Sequence, residues 1–297
     1  DPVLKLDEVN LKSGHIDFDG SVYITGDICP GYSVTATGDV IVDGMVDNAN
    51  VRSAHNLIVG GGVIGSESDS KSNNKQTNTS ETFTTHLIAG DLIDVQFMSM
   101  AYASAGTSII AKEYLMHCKL EACEEILVGQ RTGKGLLVGG ECYARKNVVT
   151  NVIGSEANVK TLVSVGDVST IEAEYKELMA KRDSEIDEVL RLSTAMARLK
   201  ESNSKDPAGT IRENMENISS TVNALRKSAY EKTHELEEME GVIQTLKAVS
   251  ITVKKELFPN VTLSINGAQS RFSSQVVGQT YGNIGNKIAV IQAEMAH

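Results

Sequence analysis

The chain has 297 residues, 41% of them hydrophobic and only 4% aromatic, with no Trp; at roughly 150 residues per domain this is room for two. Its net charge of −11, without any basic tract, argues against nucleic acid, whose phosphates need clustered Lys and Arg, and against electrostatic attachment to anionic lipid. No apolar run approaches the ~18–20 residues of a membrane-spanning helix, and no charged-then-apolar leader marks secretion, so neither membrane insertion nor export is expected.

Taken from the start, Asp1-Pro2 without an initiating Met suggests a piece of a longer chain. Gly14 and Gly20 bracket a short predicted strand, Ile16 to Phe18, which reads as a first rung or as the join to a missing N-terminal part. From Ser21 to Gly65 the sequence then repeats itself at a period wrong for a helix. Short runs with an apolar residue at every second position are each closed by Gly, Asp or Asn. Val40-Ile41-Val42 returns seventeen residues later as Leu57-Ile58-Val59, and Gly44 returns as Gly61. Ser108-Ile109-Ile110-Ala111 is likewise followed seventeen residues on by Glu125-Ile126-Leu127-Val128. Each unit has an apolar face that it buries only by stacking on its neighbours, which is the mark of a solenoid. The predicted fold is a parallel β-helix, and 25 Gly with few large rings suit its narrow coil.

Gly60 to Gly65 matches G-x-G-x-x-G, but a dinucleotide site needs a helix to open there. A polar tract running to about Thr85 follows instead and reads as a surface loop. The rungs resume at His86 and continue to Gly166, with units about ten residues apart after Gly129. That shorter spacing fits either tight turns or paired strands within one coil.

At Asp167 the period changes. Ser169 or Thr170 is a candidate N-cap, with Glu172 and Glu174 where the helix dipole favours acids. A heptad seam follows at Tyr175, Leu178, Arg182, Glu185, Val189, Leu192, Met196 and Leu199, broken by Arg182 and Glu185. Lys205 to Gly209, with Pro207, is the helix breaker. A second seam runs Ile211, Met215, Ile218, Val222, Leu225, Ala229, Lys232, Leu236, Met239, Ile243, Leu246, Ser250, Val253 and Leu257, with only Lys232 and Ser250 polar. Two such seams predict a long antiparallel coiled-coil hairpin. A second helix of about 48 residues would be roughly 70 Å long, with its unmatched end against the flank of the β-helix. Val261 to Ile265 then alternates again, Asn266-Gly267 is a turn signal, and Lys287 to Ile291 is a further strand. The expected domains are therefore 1–168, parallel β-helix; 169–258, helical hairpin; and 259–297, strands returning to the β-helix.

The chain offers little to a catalyst. A lyase would need acids for a cation or a base poised to take a proton, whereas Asp39, Asp43, Asp47 and Asp91 are scattered beside turn residues, where they are expected to close turns locally. A hexapeptide acyltransferase would sustain an apolar residue every six positions, and none is sustained. Cys118 and Cys123 lack the spacing and the second pair of a Zn²⁺ site. All four cysteines, Cys29, Cys118, Cys123 and Cys142, are read as reduced, small fillers of the coil, which points to the cytoplasm. No G-x-S-x-G elbow is present. No catalytic, cofactor-binding or metal-binding residue is assigned, no cofactor is expected, and the chain is read as not being an enzyme.

The run Asp7 to Ile28, DEVNLKSGHIDFDGSVYITGDI, resembles the start of the shared region of bacterial flagellar assembly protein A. Gly38 to Gly44, Gly61 to Gly65 and Lys134 to Gly140 are also similar to that family, as is the order of rungs, helical hairpin and short β-return, so the resemblance spans the chain. It departs at His15, where the family more often has Asn, and in the polar tract from Ser66 to Thr85. The resemblance implies a right-handed parallel β-helix carrying a coiled coil, cytoplasmic and non-enzymatic, connected with flagellar assembly or placement; full-length members extend further at the N-terminus. The functional expectation is a scaffold or adaptor affecting motility through protein partners, regulatory or polar and flagellar proteins among them. A carbohydrate-active β-helix enzyme and a self-assembling structural protein, hence a homo-oligomer, are the alternatives.

Overall fold

The computed structural model describes residues 2–67, 83–129, 134–202 and 210–291, with side chains in the helices from 171 to 200 and from 215 to 247. The polar tract over 68–82, the helix breaker and the N-cap side chains of Ser169 and Thr170 lie outside the described residues. Two compact units divide the chain: one runs to Asp167 and resumes at Ala248, and the other is Val168–Lys247.

The first unit is a parallel β-solenoid with three faces. On the first face Leu4, Val22, Val40, Leu57, Ile93, Ile109, Ile126, Val148 and Ile251 stack in register. On the second, Val9, Ile28, Val46, Val63, Met98, Leu115, Leu137, Ile153 and Leu257 do the same. The third carries Ile16, Val34, Val51, Leu87, Ala103, Leu120, Cys142, Val163 and Leu263. Beyond the opening coil these columns are buried, because each strand points alternate side chains inward and each rung covers the one before it. The seventeen-residue pairs seen in the sequence are in-register neighbours, Val40 with Leu57 and Ile109 with Ile126. The ten-residue units are successive faces of single coils: Leu136–Ala144 supplies Leu137 to the second face and Cys142 to the third.

The corner between the second and third faces recurs in the left-handed region, at Gly14 (φ 69°), Gly31 (83°), Asn48 (44°), Met100 (50°), His117 (53°) and Gly139 (69°). Glycine and Asn take this conformation readily, and bulkier residues only at a cost. The G-x-G-x-x-G run forms part of a strand, Leu57–Ile64, so it opens no helix. Gly62 pairs with Phe97, and a Cβ there would lie 2.0 Å from the Phe97 ring.

The C-terminal residues complete the last parallel coil and then cover it with antiparallel strands. Val261–Ile265 turns through Asn266-Gly267 (φ 48° and 80°) into Ala268–Phe272. Thr280–Ile284 pairs antiparallel with Ser250–Leu257 and with Lys287–Val290.

The second unit is two packed helices, α1 (Ser169–Ser202, 34 residues) and α2 (Thr210–Lys247, 38 residues). Glu172 lies 2.9 Å from Lys247, and Glu185 lies 2.9 Å from Lys232, so the start of α1 meets the end of α2. From Met215 to Leu246 every expected seam position of α2 is buried or half-buried. Val222, Ala229, Leu236 and Ile243, seven apart, are its buried residues.

The second helix stops ten residues short of the expected Leu257. Ser250–Leu257 is a strand whose Ile251 and Val253 pair with Val148 and Thr150. Ser250, Val253 and Leu257 continue the heptad count only by coincidence; the β-branched run Ile251-Thr252-Val253 suits a pleated surface better. The second helix thus ends at Lys247 rather than near 258, and at 34 and 38 residues the two helices are of nearly equal length rather than differing by about fifteen.

Candidate interaction surfaces

The outward side of the third face carries a ladder of polar and aromatic groups spaced one coil apart. His15 Nδ1 lies 3.0 Å from Ser33 Oγ. Asn50 Oδ1 accepts the His86 backbone N–H at 3.0 Å, with His86 Nδ1 at 2.9 Å. Lys119 Nζ sits 5.9 Å from the centre of the Tyr102 ring, a cation–π distance. The Tyr102 hydroxyl donates to Glu121 at 2.9 Å; burial, then the Glu121 carboxylate, pushes that phenol above its ordinary pKa. Two open grooves mark this face, one of about 330 Å³ beside Ser33, Asn50, Arg52 and His86, the other of about 300 Å³ beside Glu121, Cys123, Tyr143 and Arg145. Among the described residues no group of three or more His, Cys, Asp or Glu converges as a metal site would require.

The acids expected to close turns locally mostly bind the neighbouring coil instead. Asp39 Oδ1 accepts both the backbone and side-chain N–H of Asn56, at 2.9 and 3.0 Å. Asp27, outside that expectation, likewise accepts the Met45 N–H at 2.7 Å. Asp43 accepts the Tyr23 hydroxyl, which raises that phenol's pKa. Asp91 Oδ2 lies 3.2 Å from His55 Nδ1. Only Asp47 acts locally, accepting from Asn48 at 2.7 Å. Stacking sets corners of successive coils one rung apart, so an acid beside a turn finds donors above or below as easily as within it.

The cysteines divide in two. Cys118 and Cys142 are buried fillers; burial pushes the Cys118 thiol up to about 12 and the Cys142 thiol higher than its ordinary range. Cys123 is exposed and Cys29 half-buried, which corrects the expectation that all four fill the coil. Cys29 Sγ lies 3.3 Å from Glu8, and that hydrogen bond, then burial, raises its pKa.

On the helices, the two polar breaks at Glu185 and Lys232 meet each other. Glu185 Oε1 accepts from Lys232 at 2.9 Å and from Ser228 at 3.1 Å. The Lys232 hydrogen bond holds this carboxyl below the usual glutamate range. Arg182 instead pairs with its neighbour Asp183 at 2.6 Å. Outside the seam, Met179 (41% exposed), Ile186 (42%) and Leu190 (60%) form a strip on α1, and Tyr230 (74%) and Val242 (50%) are exposed on α2. The sequence reading stopped at the seam and missed this strip, although the spacing of 179, 186 and 190 is itself a helical stripe.

The family model for the Flagellar Assembly Protein A beta solenoid domain matches residues 2–288. No curated protein and no solved structure matches the chain. The match covers the solenoid coils, both helices and most of the covering strands, and the chain belongs to the FapA family.

Proposed function

We propose that the chain is a scaffold or adaptor acting in flagellar assembly or placement, and so in motility, through protein–protein binding. On this reading it is a non-enzymatic, cytoplasmic protein: a right-handed β-helix serves as the stiff body, and an antiparallel coiled-coil hairpin is the contact element. The observation that carries the reading is the strip of Met179, Ile186 and Leu190, with Tyr230, exposed outside the seam of the two helices. Large apolar side chains repeated along one side of a helix pair stabilise nothing within it and gain by being covered. Affinity capture with the intact chain, against one in which 169–247 is replaced by a short linker, tests it. Flagellar components identified with the intact chain are expected to be lost with the replacement; recovery of the same components with both removes the hairpin as the binding element.

A further inference from the structure

We infer that the strip is covered by a second copy of this chain, the two helix pairs forming an up-down-up-down four-helix bundle. The inference rests on reading the strip as a binding surface and names its occupant. Glu172 and Lys247 touch across the seam. Counting in sevens from Glu172 reaches Met179 and Ile186; counting back in sevens from Lys247 reaches Glu240, Thr233 and Arg226. These two edges therefore lie on one side of the helix pair, with Leu190 four residues beyond Ile186 and Tyr230 three before Thr233. The Glu185–Lys232 contact sets the level, so Ile186 and Leu190 stand beside the turn of α2 that carries Tyr230. The apolar residues thus form one patch shared by both helices.

Charge selects the occupant. On this side α1 presents Lys176 towards one end, then Asp183, which Arg182 already pairs at 2.6 Å, and Asp187 at the patch, while α2 presents Glu240 and Glu237 towards that same end and Arg226 at the patch. A two-fold axis parallel to the helices sets α1 of one copy on α2 of the other at matching height. Lys176 then approaches Glu240 of the second copy and Asp187 approaches Arg226, while Asp183, its charge offset by Arg182, stands at the level of Glu237. Among the described residues Asp187 and Arg226 make no ion pair within the chain. Every neighbouring pair of helices in this bundle is antiparallel, as in the simplest four-helix topology.

Sedimentation velocity on the whole 297-residue chain, from low to high micromolar concentration, tests this, with helicity checked by circular dichroism. A species of twice 31.9 kDa is expected. Ile186→Asp is expected to weaken the dimer about a hundredfold. Asp187→Arg and Arg226→Asp are expected to weaken it roughly tenfold each, and the double swap to restore it. A chain sedimenting at 31.9 kDa throughout, a dimer indifferent to Ile186→Asp, or a double swap no better than the single ones overturns the proposal. The hairpin-replacement capture decides the adaptor reading separately from each of these results.

Discussion

Glu185 of α1 and Lys232 of α2, each a polar break in a largely apolar seam, meet at 2.9 Å with Ser228 as a second donor to the same carboxylate oxygen. The other oxygen, Oε2, is buried with no hydrogen-bond partner. Neither break is tolerable alone, because a half-buried charge without its partner costs more than the pair gains.

Lys232→Met should therefore lower the melting temperature of the helical unit, whereas Glu185→Leu with Lys232→Leu should equal or exceed the parent. The pair also sets a pH dependence. The folded-state pKa of Glu185 is lowered, so its contribution is fully present above the ordinary glutamate value of about 4.3 and is lost as pH falls through the lower folded value. Helix melting followed by circular dichroism between neutral and acid pH should show this loss in the parent and a smaller one in the double variant.

The left-handed corner predicts opposite outcomes at two of its positions. Met100 is 40% exposed and holds φ at 50°, so Met100→Gly should stabilise the solenoid by about 1 kcal/mol through relief of that conformation. Gly31→Val, at φ 83°, should destabilise it by about 1–2 kcal/mol. Chemical denaturation followed through the β-signal measures both.

Phe97 stacks on Tyr114, with ring centres 4.9 Å apart, while its ring leaves no room for a Cβ on Gly62. Gly62→Ala should cost about 1–3 kcal/mol, the range for forcing extra volume into a packed site. Adding Phe97→Ala should recover part of that loss, because the three atoms nearest to that Cβ all belong to this ring; a double-mutant cycle gives the coupling.

Asp94 occupies an outward column between Ile58 and Ile110. Its Oδ1 is buried without a hydrogen-bond partner, and Lys112 Nζ is 4.0 Å away. Asp94→Val should stabilise the coil by about 1 kcal/mol, by removing an unsatisfied acceptor and extending the β-branched column. Thermal unfolding reads this directly.

Thiol labelling under native conditions should follow exposure and thiolate character. Cys123 should react first, Cys29 more slowly beside Glu8, and Cys118 and Cys142 only with global unfolding. Mass spectrometry of labelled peptides against time separates the three classes.

The rungs were legible because stacking demands the same pattern from every coil, so the spacing of Val40 and Leu57 announced their contact before any coordinate. The corner was legible only in part. Gly14, Gly31 and Asn48 stand seventeen apart, but Met100 and His117 adopt the same conformation without the residue types that advertise it. The helix end at Lys247 was hidden because Ser250, Val253 and Leu257 satisfy a heptad and a strand at once, and only their partners in Asn147–Ile153 decide between them. The Glu185–Lys232 contact was hidden for a related reason. Which polar seam positions meet depends on the register between two helices, and that is set by packing rather than by either helix alone. Of the candidate interaction surface, the strip on α1 was readable from its spacing; its continuation onto Tyr230 needed the Glu172–Lys247 contact.

Flagellation measures the central claim most directly. In a flagellated bacterium making this protein from its own locus, residues 169–247 are replaced by a short linker and flagella are counted on single cells. The solenoid should remain folded, since its columns close without the helices, while flagella should be lost or misplaced. Normal number and placement of flagella, with the shortened protein present at parental levels, would contradict the account.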